Sequence, residues 1–357
     1  MRLTYPAAIA ALTVSACVGA SLAMADTVTH AATPSASPSP AMQGDSATRC
    51  GSAEYPIGYR IIPFKESREA AVWYPTSTTQ TTFAYSKDIS TTLAENGVPL
   101  TACGRFPLVV FAHGLFGCGV QSIFFTEELA RHGYVVVAPD YRDAATCHIG
   151  SPSLSNSFVK EPSIFRPQDW SASSYQDRKV DTEQLITMME RDAAFGPMID
   201  ATRVGMAGHS LGGYTALGLV GAWPSWRDSR ICVALLFSPY TNPFTAHGTM
   251  GNVHVPLMYQ SAQGDIGVAP FVDGPNGAFA LSNAPKYYAK LFRGSHLSWT
   301  NFTCAGSKTT GDCLRSSATA RLIDAYGIAF LDAYLKGREE AILTSQGVGF
   351  AAYYSKP

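Results

Sequence analysis

The chain carries the hexapeptide Gly208-His209-Ser210-Leu211-Gly212-Gly213, a serine held between glycines. The apolar run Arg203 to Ala207 precedes it and the small-residue stretch Tyr214 to Ala222 follows it. That combination reads as a sharp strand-to-helix turn, which lifts a serine oxygen out at the carboxyl edge of a sheet. Glycine is required at 208 and 212 because a Cβ at either place would meet neighbouring backbone. The chemistry such a serine offers is acyl transfer. Its hydroxyl is a weak nucleophile at neutral pH, so it needs a general base, and the base needs an acid to orient it.

In a sheet of this kind the partners follow in the chain order serine, acid, histidine. Eight histidines are present. His30, His113, His132 and His148 precede the serine. His209 adjoins it with a diverging side chain, and His247 and His254 come before the best acid. His296, in Arg293-Gly294-Ser295-His296-Leu297, lies just beyond the last apolar run and is the candidate base. Asp265, in the loop after Val255 to Gln260, is the candidate acid; Asp273 is the runner-up, and Asp228 points to the wrong end of its strand. A tetrahedral intermediate needs two N–H donors for its oxyanion. Leu211 supplies one at a helix N-terminus, and Leu115 in His113-Gly114-Leu115-Phe116-Gly117 the other. Phe116, Trp299 and Phe302 are candidate walls of an acyl or alcohol pocket. Cys and His positions show no close metal-ligand spacing, and no Gly-rich phosphate loop follows a strand, so neither metal nor organic cofactor is expected.

The elements that must position these groups are legible as apolar runs. Tyr59 to Ile62 and Ala70 to Tyr74 suggest an opening antiparallel pair. Phe106 to Ala112, Tyr134 to Ala138, Arg203 to Ala207, Ile231 to Phe237, Val255 to Gln260 and Tyr287 to Phe292 follow, mostly continuous rather than alternating, as in strands buried on both faces. Helical patterns intervene at 121–132, 175–192, 212–222 and 316–336. The alternation predicts an α/β fold, a doubly wound, mostly parallel sheet. Residues 143–174, rich in Ser, Pro and Asn, are long for a connection and are a candidate lid-like insertion.

Residues 1–25 read as an export signal: Met1-Arg2, an apolar stretch from Ala7 to Leu22, and the small-residue site Ala23-Met24-Ala25. A lipid anchor through Cys17 is the alternative to ordinary cleavage. Residues 26–48 form a Pro/Ser/Ala-rich solvated tail, and 49–357 a single catalytic domain. Secretion or a periplasmic location follows. With a net charge of −1 and no basic stripe, nucleic acid is excluded as a partner, and no stable membrane insertion is expected.

Seven cysteines remain after residue 25, and in an exported protein most should pair. Cys304 and Cys313 are close in sequence and form the first pair. Cys232, inside an apolar run, is expected to be a buried thiol acting as a small hydrophobe. Cys50, Cys103, Cys118 and Cys147 allow three connectivities. Cys103–Cys118 is disfavoured, because a strand of roughly 20–25 Å separates the two, beyond disulfide reach. Cys50–Cys103 with Cys118–Cys147 is preferred.

Pro107 to Leu115, Gly133 to Asp143 and the Gly208–Gly213 turn together resemble the α/β-hydrolase superfamily. Within it they resemble the platelet-activating-factor acetylhydrolase and dienelactone-hydrolase-like group and, more distantly, bacterial cutinases and polyester hydrolases. The resemblance runs from about Tyr59 to Lys336. It implies a Ser210–His296–Asp265 triad working through an acyl-enzyme. The acetylhydrolases carry a leucine matching Leu115. In the cutinases the acid loop is similar to Asp265-Ile266-Gly267-Val268-Ala269-Pro270, and a C-terminal disulfide resembles Cys304–Cys313. Those enzymes carry Met where Leu211 stands and an aromatic where Leu115 stands. The implied activity is hydrolysis of short-to-medium acyl esters, on small-molecule or polymeric substrates. A cutinase- or lipase-like polyester hydrolase, an acyltransferase using the same triad and a catalytically dead binding module are the alternatives.

Overall fold

Runs of β-branched and aliphatic residues become strands that are buried along their whole length. In a computed structural model, which describes residues 50–51, 54–65, 68–145 and 161–357, they join one sheet of eleven strands. The strands are β1 (Ile57–Pro63), β2 (Glu69–Pro75), β3 (Thr81–Ala84), β4 (Ser90–Glu95), β5 (Phe106–Ala112) and β6 (Val135–Pro139). β7 (Ile199–His209), β8 (Ile231–Phe237), β9 (Leu257–Ala262), β10 (Lys286–Leu291) and β11 (Phe350–Lys356) complete it. Their order is β11-β10-β9-β8-β7-β5-β6-β2-β1-β4-β3.

The six strands from β10 to β6 in that order pair in parallel. β1 and β2 form the antiparallel pair expected at the start, and β2 runs antiparallel to β6. Three strands have no counterpart among the runs picked out above: β3, β4 and β11. All lie toward the sheet's edges, where burial falls away and the apolar pattern thins, as along β3 and β11.

Two apolar layers sandwich the sheet. Helices Gln176–Arg191 and Leu211–Leu217 contribute Leu185, Ile186, Met189, Tyr214 and Leu217 to one. Helices Ile123–Arg131 and Ala318–Leu335 contribute Phe125, Leu129, Ile323 and Phe330 to the other. This is the doubly wound arrangement, a helix layer on each face of a mostly parallel sheet.

Within the candidate lid, residues 146–160 lie outside the described residues. The rest of it, 161–174, is mostly exposed and is anchored by Trp170, which is buried and stacks on Tyr175, with Tyr214 and Tyr240 packed beside it. The leader and tail, 1–48, also lie outside the described residues.

Cys50–Cys103 and Cys304–Cys313 are disulfides with Cα separations of 4.9 and 5.0 Å. Cys118 is disulfide-bonded as well; Cys147, its expected partner, lies outside the described residues. Cys232 corrects the expectation of a buried free thiol, because it too is in a disulfide and is half-buried. Its place second in β8, near the amino edge of the sheet, gives its sulfur a way out of the core. Disulfides persist in oxidising compartments, which fits an extracellular or periplasmic protein. Among the described residues no helix is long and apolar enough to cross a membrane.

Candidate active site

Parallel strands deliver their following loops to one edge, and the register sets those loops level. Ala112 is opposite Gly208, His209 opposite Phe237, Phe237 opposite Gln260, and Ala262 opposite Leu291. The residues that come next on each chain segment are therefore neighbours: the 113–119 loop, Ser210, Ser238, Asp265 and His296.

Ser210 holds φ +54° and ψ −114°, a backbone shape that non-glycine residues avoid. Four main-chain bonds hold it there. Its N–H donates to the Phe237 carbonyl (2.9 Å), and its carbonyl accepts from Gly213 (3.0 Å), Tyr214 (3.2 Å) and Tyr240 (3.0 Å). The flanking glycines are sterically obligatory. A Cβ on Gly208 would lie 2.4 Å from the Gly212 carbonyl oxygen, and one on Gly212 would lie 1.9 Å from that of Ala112.

His296 opens a short 3-10 turn, His296–Trp299, that is capped by the Ser295 side chain. Its Nε2 lies 2.9 Å from Ser210 Oγ, and its Nδ1 lies 3.0 Å from Asp265 Oδ2. Asp265 is buried and His296 is about one-third exposed, so the carboxylate is shielded while the imidazole is open to solvent. Asp273, the alternative acid, is instead bonded to Lys290 Nζ (2.7 Å) and Tyr288 Oη (3.0 Å).

Sequence reasoning passed over Ser238. This residue, fully buried at φ +42°, donates its hydroxyl to Asp265 Oδ2 and places the same oxygen 2.9 Å from His296 Nδ1. The only signal was its place, directly after β8 on the carboxyl edge.

His209 packs locally, and its bonds reach across the site. Its Nε2 donates to the His296 carbonyl (2.8 Å). Its Nδ1 accepts from Gln121 Nε2 (3.2 Å), whose Oε1 accepts from the Gly114 N–H (3.0 Å). Burial, together with the neighbouring His296, pushes the His209 imidazole down to about 3, so it stays neutral. One relay thus links the loop of Leu115, the serine turn and the histidine loop.

Leu211 begins the helix Leu211–Leu217 and Leu115 sits in the loop after β5, half-buried against the first apolar layer. Among the described residues the N–H of neither leucine has a hydrogen-bond acceptor. A Cβ on Gly114 would lie 3.4 Å from Ser210 Cβ, so this loop rests on the serine turn itself.

Of the expected pocket walls, Phe116 is close at hand, 41% exposed beside Leu115. Trp299 is a correction: it is fully buried, donates to Gln260 Oε1 (3.0 Å) and stacks on Phe237. A core amide acceptor for its indole N–H holds the ring inside rather than at the surface. Phe302 is another correction, since it lines a separate surface cavity with Lys87–Ser90 and residues 304–310. Among the described residues no group of three or more His, Cys, Asp or Glu is placed to hold a metal ion.

The alpha/beta hydrolase family model matches residues 109–342, which span strands β5 to β10 and every group of the site. No curated protein matches the sequence. Among solved structures, a ferulic acid esterase from Streptomyces cinnamoneus is similar in fold. It aligns with a TM-score of 0.62 at 19% identity, covering 86% of this chain and 99% of that one.

Proposed function

The chain belongs to the alpha/beta hydrolase family, and from that premise we propose that it is an exported serine ester hydrolase acting on short-to-medium acyl esters. The observation that carries the reading is the continuous chain Ser210 Oγ, His296 Nε2, His296 Nδ1, Asp265 Oδ2, with contacts of 2.9 and 3.0 Å.

Asp265 accepts the Nδ1–H, which leaves Nε2 free to act as base. Ser210 Oγ attacks the ester carbonyl carbon while its proton passes to His296 Nε2. The carbonyl oxygen becomes an oxyanion, met by the Leu115 and Leu211 N–H groups. Collapse breaks the bond to the alcohol, which leaves with the proton from His296. Water then attacks the acyl-enzyme, giving one proton to His296, and collapse frees the acid as that proton returns to Ser210.

A large exposed apolar side chain directly follows three of these groups: Phe116 (41% exposed) after Leu115, Ile266 (84%) after Asp265, and Leu297 (44%) after His296. This exposed apolar surface next to the site's loops is what a second reading would need, a cutinase- or lipase-like enzyme working on longer or polymeric apolar esters.

Initial rates on p-nitrophenyl esters from acetyl to long acyl chains, with Ser210→Ala as control, test both readings. A methyl ferulate substrate belongs in the panel because the structural neighbour is a ferulic acid esterase. Turnover peaking at short to medium chains and abolished in Ser210→Ala is the expected result. Turnover rising with chain length selects the second reading. Absence of serine-dependent turnover from folded protein overturns both.

A further inference from the structure

Arg178 lies in the helix Gln176–Arg191 and is completely buried beneath the 113–117 loop. Its Nε and Nη2 donate to Asp143 Oδ1 (2.9 Å) and Oδ2 (2.7 Å). Its remaining donors rise to the loop: Nη1 to the His113 carbonyl (2.8 Å) and Nη2 to the Gly114 carbonyl (3.3 Å). The Tyr141 ring lies 4.5 Å from its Cζ. Burial raises the Asp143 carboxyl, but Arg178 outweighs that and holds it below the usual carboxylate range, so the pair stays ionised.

A trans peptide is planar, with its C=O and N–H pointing in opposite directions. The Gly114 carbonyl belongs to the same peptide as the Leu115 N–H. That carbonyl accepts from His113 Nδ1 (2.7 Å) and the guanidinium beneath the loop, and from Gly117 N (3.0 Å) across the loop's own turn. Its N–H must then face the other way, toward the serine turn that Gly114 touches. The preceding peptide is fixed at both ends as well, its carbonyl by Arg178 and its N–H by Gln121 Oε1. A charged donor on the carbonyl also polarises the peptide and makes the opposite N–H a stronger donor.

We infer that Arg178, held by Asp143, is a positioning residue that aims the Leu115 N–H at the oxyanion, an inference that rests on Ser210 being the nucleophile. Stability alone is a weak account of such a pair, because a well-packed apolar replacement of a buried ion pair is often neutral or stabilising. An arginine with donors left over for two consecutive loop carbonyls is better suited to holding an orientation.

The test compares wild type, Arg178→Lys and the charge-free double variant Arg178→Met/Asp143→Leu, which leaves no orphaned charge inside. Melting temperature, kcat and KM on a p-nitrophenyl ester, and affinity for an alkyl boronic acid that forms a tetrahedral adduct on Ser210 are measured for each. Because the lost contact matters only once the oxyanion forms, kcat should fall about 10- to 100-fold with KM little changed. Boronate affinity should weaken by a similar factor in protein that remains folded. Arg178→Lys, with charge but no fork, should fall between the two. A folded double variant with wild-type kcat and boronate affinity overturns the proposal while Ser210 dependence stands. Failure of both variants to fold also overturns it and makes the pair part of the core. Wild-type turnover that does not depend on Ser210 defeats the underlying ester-hydrolase reading instead.

Discussion

Gly264 and Gly294 meet backbone to backbone: a Cβ on Gly264 would lie 2.4 Å from the Gly294 carbonyl oxygen. One precedes Asp265 by a single residue and the other precedes His296 by two, so the loops carrying the acid and the base are set against each other through a contact that admits no side chain. Gly294 adds a φ of +141°, which a side chain would strain.

Gly264→Ala is therefore expected to push the two loops apart by about 1 Å, the distance needed to restore ordinary contact, while leaving the sheet untouched. A misplacement of about 1 Å in such a site costs on the order of 100-fold in rate. The expected outcome is a loss of that order in kcat/KM, with cooperative thermal unfolding preserved. Wild-type kcat/KM in a folded Gly264→Ala protein would show that the close approach does not set the acid–base geometry.

Ser238 bonds to both Asp265 and His296 Nδ1. Its hydroxyl proton can go only to the carboxylate while Nδ1 keeps its own, so Ser238 steadies the Asp265 oxygen that receives Nδ1–H. Ser238→Ala should lower kcat about 10-fold, in the range found when the partner orienting a functional ligand is removed. Asp265→Ala should cost far more, about 10⁴-fold. Steady-state kinetics on one ester ranks the two, and a Ser238→Ala enzyme as impaired as Asp265→Ala would show that Ser238 acts as more than a support.

What the sequence disclosed and what it hid divide along a physical line. Ser210 was legible because two glycines, a buried strand and a small-residue helix leave one local geometry. The structure brings His296 and Asp265 to it; order in the chain together with their loops just past two apolar runs pointed to them, and order alone left Asp273 open. Arg178 was hidden because a basic residue in a helix of mean polar character reads as solvent-facing, and only the packing of a distant loop buries it. Ser238 was hidden because its meaning depends on where β8 ends relative to β9, a register no single segment encodes. Trp299 and Phe302 misled for the converse reason. Closeness to His296 in the chain says nothing about which side of a turn a ring enters.

Glu127 provides a test of stability separate from the site. It is buried in the helix Ile123–Arg131 and accepts from Tyr85 Oη (2.9 Å), Thr91 Oγ1 (2.9 Å) and Thr310 Oγ1 (2.8 Å). Burial pushes its carboxyl up to about 7, against the pull of those three donors. Between about pH 4.5 and 7 the folded chain holds a proton that the unfolded chain has released. Stability from this group is therefore full at the acid end of the window and is lost as pH rises through it. His113 and His209 act in the opposite sense: burial lowers them to about 4 and about 3, so their contribution is lost as pH falls below about 6.5. Glu127→Gln shares both histidines and keeps a neutral amide in place of the acid. Subtracting its unfolding free energy from that of wild type isolates the carboxyl. The difference should move by about 3 kcal/mol against wild type from pH 4.5 to 7, at roughly 1.4 kcal/mol per unit, and be flat above about pH 8. Chemical denaturation at five pH values between 4 and 8 measures it, and parallel profiles for the two proteins would mean that Glu127 folds already ionised.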